Sequence, residues 1–129
     1  MKAHDRAVIF SSARGTWRTP VEIYRRFVPP AFDSSDTHDG TFDALRDPWP
    51  TPWYCNPPYG RGIGKWTAHM IGLGVALLPA RTDTVWFQRD VLGRAVEVEF
   101  LKGRLHFDGA KGAAPFPSCL VYFEGSFSP

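Results

Sequence analysis

A disulfide framework, a long apolar run and a strong charge of either sign are all missing from this sequence. Only two cysteines occur, Cys55 and Cys119, each within a short apolar run that reads as a strand, which predicts buried thiols and fits a reducing compartment. No stretch approaches the roughly 18 consecutive apolar residues that span a bilayer. The Met1–Asp5 start lacks the apolar segment of a secretory signal, so a soluble, cytoplasmic protein is expected. The net charge of +2 is too small to mark a polyanionic partner by itself. Four histidines, His4, His38, His69 and His106, are scattered, and neither cysteine has a paired spacing, so no metal site is expected. Internal repeats, coiled-coil heptads and low-complexity tracts are also lacking.

What is present is ordinary globular material rich in turns. Hydrophobic residues make up 43% of the 129-residue chain, enough for one core and too short a chain for two, so residues 1–129 read as a single domain with 1–12 as a disordered extension. Twelve glycines and twelve prolines predict many loops between short elements.

The first firm element opens at Thr19-Pro20-Val21-Glu22, where Thr19 suits the N-cap, Pro20 the first helical position and Glu22 a capping box. Pro29-Pro30 stops this helix, Ala31–Asp33 reads as a short strand, and Phe32–Pro52 is otherwise mostly loop. Trp53-Tyr54-Cys55 is a buried strand that bends sharply at Asn56. A helix over about Ile63–Ile71 and a strand over Val75–Leu78 follow, which predicts a parallel strand–helix–strand unit. Asp83–Leu92 reads as a second crossover helix with Asp83 as N-cap and Gly93 as its stop. Ala95–Leu101 and Ser118–Phe123 are the last strands. This alternation predicts an open α/β sheet, in which ligands bind at the carboxyl ends of strands.

Asn56-Pro57-Pro58-Tyr59 is the most informative segment, because each residue answers a need of methyl transfer to an amine on an aromatic ring. The lone pair of that amine is delocalised, so its nitrogen must be held pyramidal by acceptors and in line with the incoming methyl. The Asn56 side-chain carbonyl and the Pro57 backbone carbonyl supply two acceptors, and paired prolines stiffen the loop. Tyr59 can stack on a base swung out of its duplex. Asn-Pro and Pro-Pro are also common turn dipeptides; a position directly after an apolar strand favours the chemical reading.

At these residues the chain resembles the phage-type, Dam-like DNA N-6-adenine methyltransferases of bacteriophages and prophages. Besides the Asn56–Tyr59 loop, the likeness runs through Trp17-x-Thr19-Pro20, the segment Leu77-Leu78-Pro79-Ala80-Arg81-Thr82-Asp83-Thr84 with Trp86-Phe87, and Leu101-Lys102-Gly103-Arg104-Leu105-His106-Phe107. The resemblance implies a compact Rossmann-like methyltransferase fold: a mostly parallel sheet flanked by helices on both faces, with an antiparallel final strand. It implies S-adenosylmethionine as cofactor, held by Trp17, Thr19, Pro20, Asp33, Asp43 and Asn56, with Asn56, Pro57, Pro58 and Tyr59 as the catalytic loop. It also implies DNA as the partner, a flipped adenine as the target and a bacterial host cytoplasm as the location. One departure stands out: Phe32-Asp33-Ser34-Ser35-Asp36 lacks the usual acidic-Pro-small pattern, and the segment from Asp33 to Asp43 is short.

Cations are expected to meet DNA phosphate: Arg61 and Lys65 after the loop, Arg81 at a strand end, and Lys102 with Arg104 about a tight turn at Gly103. A solvated hairpin explains Lys102 and Arg104 equally well, and plain helix capping explains Asp83. Gly60-Arg61-Gly62-Ile63-Gly64-Lys65 is not a phosphate-binding loop, because Tyr59 stands in place of the first glycine and Trp66 in place of the hydroxyl residue; its glycines are read as keeping the loop slim. Transfer to an RNA base or a protein glutamine, and a catalytically weak relative that only binds DNA, are the rival readings.

Overall fold

The computed structural model describes residues 18–27, 30, 32–33 and 43–124. Trp17, Pro29, Ala31 and the 1–12 extension lie outside the described residues. Five strands form one mixed sheet: β1 (Phe32–Asp33), β2 (Trp53–Cys55), β3 (Leu73–Pro79), β4 (Glu97–Phe100) and β5 (Ser118–Glu124), in the spatial order β1-β2-β3-β5-β4. The helices are α1 (Val21–Tyr24), α2 (Ile63–Thr67) and α3 (Phe87–Leu92), the last wound as a π-helix.

β1 with β2 and β2 with β3 are parallel, as the strand–helix–strand unit predicts, whereas β5 is antiparallel to both β3 and β4. β1 to β4 therefore run one way and β5 alone opposes them. The expected mostly parallel sheet is corrected by this placement. β1 and β2 are only 2 and 3 residues long, while β5 lies inside the sheet and pairs along all 7 residues of β3, so the pairing is mostly antiparallel.

Both faces of the sheet are covered, and the period of two decides which residue goes where. Trp53, Cys55, Ala76, Leu78, Cys119, Val121 and Phe123 point to one side, under Ile63 of α2, Phe87 and Val91 of α3, and Trp49 from the turn that follows Asp43. Tyr54, Leu77 and Leu120 point to the other, under Ile23 of α1 and Phe107, Ala114 and Phe116 from the long irregular excursion after β4. Both cysteines are free and buried, and burial pushes the Cys119 thiol up to about 12. Among the described residues no helix is long and apolar enough to cross a membrane.

Three local expectations fail for identifiable reasons. Thr19 does not cap α1: Pro20 occupies the N-cap position without a side-chain cap, and the Thr19 hydroxyl turns inward. Asp83 does not cap the second crossover helix, because the Thr84 hydroxyl accepts the Phe87 N–H at 3.3 Å. Helix α2 ends at Thr67, well before Ile71; the Arg94 guanidinium caps its last carbonyls, donating to Thr67 O at 2.9 Å and Met70 O at 2.6 Å.

A buried charge ties α2 to α3. Asp90 is 2% exposed and accepts from Thr67 Oγ1 at 2.6 Å and from Arg89 at 2.8 and 2.7 Å, with Arg94 at 3.2 Å. Burial alone would raise its carboxyl, but the hydrogen bonds from Arg89, Thr67 and Arg94 outweigh it and hold the group below the usual carboxylate range.

Candidate active site

The carboxyl ends of β1, β2 and β3 lie side by side, and the chain leaves them at Asp33, Asn56 and Ala80. Asn56 follows β2 directly and is buried with Pro57, whereas Pro58 is exposed. A backbone bridge between Arg18 and Asp108, bonded in both directions at 3.1 Å, pins the segment before α1 against the excursion and delivers Thr19 to the same end of the sheet. There the Asn56 amide nitrogen donates to Thr19 Oγ1 at 3.2 Å, and Thr19 Oγ1 lies 2.8 Å from the Tyr54 hydroxyl. On the other side of the amide, the Tyr59 hydroxyl donates to Asn56 Oδ1 at 2.9 Å. Both ends of the side chain are thus held, with its carbonyl turned toward Tyr59.

Tyr59 borders both halves of the core and is half-buried. Its ring meets Phe116 edge-on at 4.9 Å and Phe107 at 5.7 Å, so the excursion after β4 sets its position. Burial drives the Tyr59 hydroxyl far above the usual phenol range, and burial does the same to Tyr54 against the opposing hydrogen bond to Thr19. Each is a neutral hydroxyl at physiological pH and serves as a hydrogen-bonding group, not as a base.

Asp33 ends β1, is 6% exposed and accepts a short hydrogen bond from the Tyr24 hydroxyl. The Tyr24 ring lies 5.1 Å from that of Tyr54, which links Asp33 to the Thr19–Asn56 group through packed rings. Asp43 differs. It is exposed, and its Oδ1 accepts the Leu45 N–H at 2.9 Å while its own N–H donates to Asp47, an arrangement that caps the turn leading to Trp49. Among the described residues, no contact joins Asp43 to Thr19, Asp33 or Asn56.

Of the cations, Arg81 shares a ring with the loop: its guanidinium lies 5.4 Å over the Phe116 ring that also holds Tyr59. Lys102 and Arg104 are exposed on either side of Gly103, whose φ of 73° confirms the tight turn, on the same excursion as Phe107 and Phe116. Arg61, just before α2, and Lys65, in its last turn, are exposed. The glycines around them have separate duties: Gly60 has a φ of 127°, while a Cβ on Gly64 would sit 3.4 Å from Trp86, so Gly64 lets α2 approach α3 rather than slimming a loop.

No family model, no curated protein and no solved structure matches this chain. The chemistry of the site therefore rests on its own geometry. Thr19, Pro20, Asp33, Asn56, Pro57, Tyr59 and Arg81 gather at one end of the sheet, and Trp17 lies outside the described residues. Tyr54, Tyr24, Phe107 and Phe116 were missed as members of the site. A buried tyrosine finds a partner for its hydroxyl, and Tyr54, two positions before Asn56 in an otherwise apolar strand, carried that signal. A cavity of about 480 Å³ opens at the opposite end of β2 and β3, between Trp53, Leu73, Val75, Val96, Tyr122 and Phe123, and none of Thr19, Asn56 and Tyr59 lines it.

Proposed function

We propose that this chain is an S-adenosylmethionine-dependent DNA adenine methyltransferase acting on a base swung out of its helix. The observation that carries the reading is the Asn56 amide, buried at the carboxyl end of a parallel strand and held at both ends, within Asn56-Pro57-Pro58-Tyr59. The Rossmann-like part of the reading draws support from β1 to β4 running one way with β5 antiparallel, and from helices on both faces of the sheet.

When bound, S-adenosylmethionine would supply an electrophilic methyl group. The residues that fit it are Thr19 and Pro20 before α1, Asp33 at the end of β1, and Asn56; Asp43, engaged in its own turn, fits less well. Asn56 Oδ1 and the Pro57 carbonyl accept the N–H groups of the target amine and localise its lone pair. Tyr59 already donates to Asn56 Oδ1, so the incoming amine would displace that hydroxyl. The Tyr59 ring, propped by Phe107 and Phe116, offers an aromatic wall for the base. Arg81, Lys102 and Arg104 then meet phosphate from the same side.

The test is transfer of labelled methyl from S-adenosylmethionine to unmethylated plasmid DNA, followed by digestion to the modified base. Label in methyladenine, lost in Asn56→Ala, is the expected result. Label on RNA or protein but not on DNA would overturn the substrate assignment. A weak relative that binds DNA without modifying it is the second reading, favoured by the Asp43 carboxylate lying in its own turn; no detectable cofactor binding by calorimetry would select it.

A further inference from the structure

Asparagine is a poor choice of acceptor unless something decides which way it points. Its carboxamide is nearly symmetric in shape, and a half-turn about the last side-chain bond exchanges an acceptor oxygen for a donor nitrogen. In the wrong orientation the Asn56 NH2 would face the NH2 of the target, with donor against donor. A threonine hydroxyl is a weak selector by itself, because its one proton and two lone pairs let it bond either end of the amide.

We infer that Tyr54 is a positioning residue for methyl transfer: its hydroxyl, 2.8 Å from Thr19 Oγ1, holds that oxygen where it receives the Asn56 NH2, and so keeps the Asn56 carbonyl turned toward the target amine. The inference rests on the reading of the site given above. It follows from two contacts in series, 2.8 Å between Tyr54 and Thr19 hydroxyls and 3.2 Å from the Asn56 nitrogen to Thr19 Oγ1. Burial makes the series matter, since Tyr54, Thr19 and Asn56 are 3%, 8% and 8% exposed and water has little access to replace a missing partner. Tyr54 is itself immobilised, its ring lying against Tyr24 at 5.1 Å and Phe27 at 6.2 Å. Thr19 thereby acquires a role distinct from holding cofactor.

Steady-state methylation of plasmid DNA by the wild type, Asn56→Ala, Tyr54→Phe, Thr19→Val and Thr19→Ser tests the idea. Tyr54→Phe and Thr19→Val should lower kcat about tenfold or more, because a misdirected group costs rate and not affinity, and Tyr54→Phe should keep KM for cofactor and DNA within about twofold of wild type. Thr19→Ser keeps the hydroxyl and should restore most of kcat. If Thr19→Val fails to fold, Tyr54→Phe and Thr19→Ser still decide the matter. An unchanged kcat in Tyr54→Phe overturns the inference, as does a Thr19→Val protein that loses cofactor affinity alone. Wild-type transfer that disappears in Asn56→Ala but survives in Tyr54→Phe overturns this inference and leaves the proposed function standing. A wild-type protein that transfers no methyl group overturns both.

Discussion

Thr19 and Asn56 are 37 positions apart in the chain, and the amide nitrogen of one donates to the hydroxyl of the other at 3.2 Å. The contact accounts for α1 beginning without a side-chain cap from Thr19: the hydroxyl that local chemistry assigns to the helix serves the loop instead. A cap of this kind is worth about 1 kcal/mol. A local rule broken at a strand end marks a place where function and folding compete.

Asn56→Ala should reduce methylation about a hundredfold or more, since it removes a positioned acceptor from a site with little water. The measurement is kcat/KM on unmethylated DNA. Thermal melting should show no more than a modest loss of stability, because Asn56 sits at the end of the sheet and not within its ladder.

Replacing Tyr59 separates ring from hydroxyl. Tyr59→Phe retains the edge contacts to Phe107 and Phe116 and should stay within a few-fold of wild-type activity. Tyr59→Ala removes the proposed wall for the base and should cost about 1 to 3 kcal/mol of binding, read as a ten- to hundredfold rise in KM for DNA. Equal effects of the two variants would show that the bond to Asn56 Oδ1 matters and the ring does not. Neither tyrosine should shape the pH profile near neutrality, because burial keeps both hydroxyls protonated.

How much of this was readable beforehand depends on the range of the interaction. β2, β3, β5 and the parallel β2–α2–β3 unit were legible, because buried strands show as unbroken apolar runs closed by proline or glycine. The placement of β5 between β3 and β4 was not, since pairing order leaves no local trace. The Asn56–Tyr59 loop stood out because its residue types are unusual together. Its supports did not: Tyr54, Phe107 and Phe116 look like ordinary core residues until the excursion after β4 folds back on them. The local bond of Asp43 was equally hidden: its carboxylate accepts the Leu45 N–H within the turn ending at Asp47.

Arg81 gives a test of the proposed contact with DNA. Arg81→Ala should weaken binding to all sequences alike and reduce the slope of log affinity against log salt by about 1, as loss of one phosphate contact does. Binding titrations at several salt concentrations measure it. A changed sequence preference with an unchanged salt slope would place Arg81 on a base edge.

Ser118 predicts a gain. Its hydroxyl is buried at the start of β5 and, among the described residues, has no hydrogen-bond partner. An orphaned polar group costs stability, so Ser118→Ala should raise the stability of the fold by up to about 1 kcal/mol, seen as a higher Tm.

Asp90 should govern stability in acid. Its carboxyl is held below the usual carboxylate range in the folded protein, while in the unfolded chain it titrates near about 4. The folded state therefore binds fewer protons than the unfolded one in that region, so Asp90 contributes stability fully above about pH 5 and loses it progressively as pH falls through 4 and below. Asp90→Asn should remove that contribution and leave Arg89 and Arg94, themselves partly exposed, without their counter-charge, costing about 1 to 3 kcal/mol at pH 7 as for hydrogen bonds to a charged group. Denaturant unfolding from pH 3 to pH 7 checks both claims together. The variant should be less stable than wild type at neutral pH, and the difference should shrink steadily toward pH 3. A difference that stays constant across the range would mean that the shape of the side chain, and not its charge, holds α2 against α3.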